Sequence, residues 1–181
     1  RRQRQMCIRD RHISGPNYAL WVQGPNAKLE VINGSLIEAN YFSISTDATL
    51  QGGGLLYGGA DIMLKDSKFI AGETGFMTNV SPSTVNIENC EFSGNHQAAF
   101  LRGGTYTIKN SSFTLKAELE STHSENNHMK QWQDGNRAAF AGITIGNYLS
   151  SAYQYPTTVA MTGVTVKVEG THASSFPAVH V

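Results

Sequence analysis

The chain has 181 residues, 40% hydrophobic and 15% charged, with 14 basic and 14 acidic side chains and a formal net charge of +0. That length suffices for one domain with a real core, and the balanced, dispersed charge speaks against a nucleic-acid-binding surface. No apolar run reaches the roughly 18 residues that a membrane-spanning helix requires.

Residues 1–11, Arg1-Arg-Gln-Arg-Gln-Met-Cys-Ile-Arg-Asp-Arg11, share no pattern with the rest of the chain. The run from Gln5 onward resembles a translated transposon-end adapter from sequencing libraries, so 1–11 are read as a non-native leader. Without its five Arg and one Asp, 9 basic and 13 acidic residues remain, a net charge of −4. A basic arm for nucleic acid is therefore not expected. Residues 12–181 are read as one domain truncated at both ends, because the chain stops at Val181 within a strand-like stretch and without a polar capping repeat.

Past Tyr18-Ala-Leu-Trp-Val22, a first strand-like phrase, one motif is written five times. It runs Ala27-Lys-Leu-Glu-Val-Ile-Asn33-Gly-Ser-Leu36, Ala60-Asp-Ile-Met-Leu-Lys-Asp66-Ser-Lys-Phe69 and Ser83-Thr-Val-Asn-Ile-Glu-Asn89-Cys-Glu-Phe92. It returns as Gly104-Thr-Tyr-Thr-Ile-Lys-Asn110-Ser-Ser-Phe113 and Thr157-Thr-Val-Ala-Met-Thr-Gly163-Val-Thr-Val166. Three apolar columns result: Leu29, Ile62, Val85, Tyr106 and Val159; Val31, Leu64, Ile87, Ile108 and Met161; Leu36, Phe69, Phe92, Phe113 and Val166. A spacing of two places the first two columns on one face of a strand, and no helical stripe fits. Asn33, Asp66, Asn89, Asn110 and Gly163 share a corner where left-handed backbone is expected.

A second strand phrase follows each copy: Tyr41-Phe-Ser-Ile44, Gly75-Phe-Met77, Ala98-Ala-Phe-Leu101, Ala138-Ala-Phe140 and Phe176-Pro-Ala-Val179. The corner register advances by 33, 23, 21 and 53 residues. A Gly-rich insertion at 51–59 absorbs the first excess, and a polar insertion at 116–136 with an extra strand-like stretch at 138–145 absorbs the last. The expected fold is all-β: a single-stranded right-handed parallel β-helix of about five to six coils, each burying its columns against the next.

Copies of the form Thr-Val-x-Ile-x-Asn-Cys-x-Phe resemble the right-handed parallel β-helix proteins of the pectate-lyase-like superfamily, over about residues 13–181. That resemblance implies the fold, shared by polysaccharide lyases, polygalacturonases, tailspikes, autotransporter passengers and adhesins, and leaves the activity open. The insertion-bearing repeats look most like bacterial cell-surface or secreted proteins.

The polygalacturonase-like pattern of clustered Asp, Gly-His-Gly and Arg-x-Lys is missing. Lyase-like chemistry needs acidic calcium ligands and a basic proton acceptor; Asp66, Glu88, Glu91, Lys68 and Lys109 lie on neighbouring repeats, although alternating charges on a wet strand face account for them. The Asn/Asp corner column is a weak Ca²⁺ candidate, and turn chemistry accounts for all of it. His123, Glu125 and His128 lack a third rigid zinc ligand, and His96, His172 and His180 stand isolated. Cys90 sits beside the corner, where other copies have Gly34, Ser67 and Ser111, and fits as a small inward side chain. The glycosylation-type triplets at Asn33, Asn79 and Asn110 are read as coincidental.

Trp132, Tyr148, Tyr153 and Tyr155 fall among Gln131, Gln133, Asp134, Asn136 and Asn147, a composition suited to stacking and hydrogen-bonding a glycan; anchoring rings would look the same. The expected function is a display segment of an extracellular, adhesin-like surface protein, with no cofactor and a glycan or host-surface ligand held by the insertions. The competing expectation is a polysaccharide lyase or glycoside hydrolase.

Overall fold

The computed structural model describes residues 4–16, 18–22, 27–40, 42–46, 60–78, 83–118, 141–146 and 156–181. These residues are all-β, and their strands fall into six consecutive triplets, here called rungs. The first two are β1 Arg4–Arg9, β2 His12–Gly15, β3 Tyr18–Trp21 and β4 Ala27–Ile32, β5 Leu36–Ala39, β6 Phe42–Thr46. The next two are β7 Asp61–Lys65, β8 Lys68–Ala71, β9 Thr74–Thr78 and β10 Thr84–Glu88, β11 Glu91–Gly94, β12 Gln97–Leu101. The last two are β13 Gly104–Lys109, β14 Ser112–Lys116, β15 Ala141–Ile145 and β16 Thr157–Thr162, β17 Thr165–Glu169, β18 Val179–His180.

Each strand pairs in parallel with the strand three places along, giving three six-stranded parallel sheets among the described residues. The first holds β1, β4, β7, β10, β13 and β16; the second and third take the middle and last strand of each rung. This arrangement is compatible with a β-helix. The repeated phrase builds it because alternation sends every second side chain inward. Leu29, Ile62, Val85, Tyr106 and Val159 stand in mutual register, as do Val31, Leu64, Ile87, Ile108 and Met161. Phe69, Phe92 and Phe113 stack nearly parallel, with ring centroids 4.6 and 4.8 Å apart, and all three are buried. Those separations match the roughly 4.8 Å between neighbouring strands, so ring stacking and the backbone ladder reinforce each other.

The third column begins one residue later than its sequence alignment suggests. Phe69 pairs with Ile37, which is fully buried, whereas Leu36 pairs with Lys68 and is half-buried. The cause is an extra corner residue: Asn33 and Gly34 both take positive φ, 58° and 77°, where the next rung uses Asp66 alone. The neighbour of Cys90 and Ser67 in this stack is accordingly Ser35, not Gly34, as the bond from Lys68 N to Ser35 O shows.

Arg4–Arg9 also departs from the sequence reading, which found no pattern there. Met6 and Ile8 pair with Leu29 and Val31, Ile8 is buried, and Asp10 takes φ 48° at the corner. Alternation in this stretch is too short to stand out among the five Arg of residues 1–11, but its register matches the repeat. In the fifth rung the third-sheet strand is Ala141–Ile145, with Ala99 opposite Ile143; residues 138–140, the phrase proposed for this place, lie outside the described residues. In the last rung the third-sheet strand is short, Val179–His180, and follows a 3₁₀ turn at Ala173–Ser175 and then Pro177.

Candidate functional site

The three corners of a rung differ. Between the first and second sheets the connections are 10–11, 33–35, 66–67, 89–90, 110–111 and 163–164, short in every rung. Asp10, Asn33, Asp66, Asn89 and Asn110 sit there at φ between 48° and 58°, with Gly163 at 65°. Asn and Asp tolerate this conformation because their short polar side chains bond locally, and Asn89 Nδ2 donates to Asp66 Oδ1 at 3.0 Å.

Just past this corner, the hydroxyls of Ser35, Ser67 and Ser111 donate to the carbonyls of Ile32, Lys65 and Lys109 at 2.9, 2.8 and 2.7 Å. Cys90 holds the same place, its Sγ 3.2 Å from Glu88 O. Burial pushes its thiol up to about 11, which makes it an unreactive structural residue.

Neighbouring rungs pair their charges on the outer faces of the first and second sheets. Lys28 meets Asp61 at 3.7 Å, Lys65 meets Glu88 at 3.2 Å and Lys68 meets Glu91 at 2.9 Å, while His12 Nε2 lies at hydrogen-bond distance from Glu38 Oε2, 2.6 Å; all these side chains are exposed. Glu91 is thus paired with Lys68 and Glu88 with Lys65 across the ladder, and Asp66 accepts from Asn89. Among the described residues no group of three or more His, Cys, Asp or Glu side chains is assembled.

The third sheet is different. The long connections leave or rejoin beside it: 47–60 joins β6 to β7, 117–140 joins β14 to β15, and 146–156 joins β15 to β16. Its central strands β9 and β12 are buried at every position, while the strands beside them on the other sheets alternate buried and exposed. With Phe76 and Ala99 in the core, alternation directs Met77 and Phe100 outward, yet both are buried.

Among the described residues, the buried carboxylate, imidazole and guanidinium side chains lie at the two ends of this sheet's central strands. Glu73 precedes β9, His96 precedes β12 and Arg102 follows it, at 6%, 3% and 2% exposed. Glu73 and His96 occupy equivalent corners, with His96 N bonded to Glu73 O at 3.0 Å and Ala141 N to His96 O at 3.1 Å. Burial lowers the His96 imidazole to about 4, so it is neutral at pH 7. At the far end the Arg102 guanidinium lies 4.4 Å from the centre of the Phe100 ring. The Tyr106 hydroxyl is 2.6 Å from both Thr78 Oγ1 and Gly103 O, while Thr78 Oγ1 accepts from Arg102 N at 2.8 Å. Deep burial raises the Tyr106 phenol, which acts as a neutral strut.

Comparison with protein-family models, curated proteins and solved structures finds no match. Trp132, Tyr148, Tyr153 and Tyr155, the glycan-binding candidates, lie outside the described residues, as do His123, Glu125 and His128. Sequence reasoning set His96 aside as isolated and did not single out Glu73 or Arg102. The available signal was register: Gly72-Glu73-Thr74 and Asn95-His96-Gln97 fall at the same point of the repeat.

Proposed function

We propose that this chain is a section of a right-handed parallel β-helix of the pectate-lyase-like superfold, serving as a display scaffold within a bacterial extracellular, adhesin-like surface protein. Parallel strands joined by crossovers within one sheet are right-handed in about 98% of cases, which supports the handedness. The observation that carries the display reading is the asymmetry among the corners. One is short in every rung, and the long connections at 47–60, 117–140 and 146–156 all adjoin the third sheet. A repeat that keeps one corner tight and concentrates its insertions beside one sheet can hold them toward a ligand at fixed spacing.

The insertion sequences, with Trp132, Tyr148, Tyr153 and Tyr155 among amides, suit a glycan or another polar host-surface ligand. The cross-rung ion pairs suit a solvated stalk, where each contributes about 0–1 kcal/mol. Incubating the purified chain with immobilised acidic and neutral glycans, and separately with soluble polyuronates plus Ca²⁺, tests the reading. Retention on the glycan surface without release of unsaturated uronate ends is expected. Metal-dependent cleavage would overturn it.

A further inference from the structure

We draw no further inference here: the strongest candidate, the buried outer face of the third sheet at Met77 and Phe100, belongs to the site already described, and nothing among the described residues shows what covers it.

Discussion

Phe92 is sandwiched between Phe69 and Phe113 and meets Phe76 edge-on, so it fastens three rungs and two sheets at one point. Phe92→Asp should prevent folding, because a buried unpaired carboxylate costs several kcal/mol or more. Lys68→Ala, which removes only an exposed pair, should change stability by about 1 kcal/mol or less. Denaturant melts of the two variants check this, and similar midpoints would refute the column. His96 gives a pH signature. Its imidazole titrates near 4 when folded and near 6.5 when unfolded, so between those values the unfolded chain binds the extra proton. Stability attributable to His96 is therefore fully present above pH 6.5 and is lost as pH falls toward 4, by an amount of the order of 3 kcal/mol. Urea midpoints across that range should show the slope in the native chain and lose most of it in His96→Gln. These residues were unequally legible. Phe92 declared itself through a repeated phrase, whereas a lone His announces nothing until the rungs stack and its corner closes over it.

Strands were legible where the period of two is long and undisturbed. The first- and second-sheet strands of the middle rungs fall where their apolar columns place them, because inward and outward positions differ sharply in polarity. The second rung shows what defeats such alignment: one extra corner residue leaves two apolar neighbours, Leu36 and Ile37, competing for a single inward place. Sequence alone favours the spacing of the other copies, but Asn33 and Gly34 absorb two positive-φ positions and hand the place to Ile37. Ile37→Ala should cost about 2–5 kcal/mol and Leu36→Ala clearly less, as read by thermal or denaturant midpoint. The reverse order would restore the simpler alignment. Third-sheet strands were the hardest to read. With both faces buried they lose alternation, and short runs such as Gln97-Ala-Ala-Phe-Leu101 carry no period to count. The same burial hid the site, since Glu73, His96 and Arg102 lie at strand ends where polar residues ordinarily mark solvent-facing turns.

Across the whole molecule, the proposed display function assigns stability and recognition to different parts of the chain. Continuous columns and exposed ion pairs run from rung to rung, so neighbouring rungs support one another and none is expected to fold alone. The candidate binding residues fall where the repeat is interrupted. Their replacement should leave the columns intact, since none of the column residues lies in 119–140 or 147–155. The most direct test is glycan retention by a variant with Trp132, Tyr148, Tyr153 and Tyr155 all changed to Ala, compared with the unaltered chain at matched concentration. Display through the insertions predicts that retention falls at least about tenfold, a loss of roughly 1.4 kcal/mol, while cooperative unfolding persists. Undiminished retention by the folded variant, or no retention by the unaltered chain on any glycan, would contradict it.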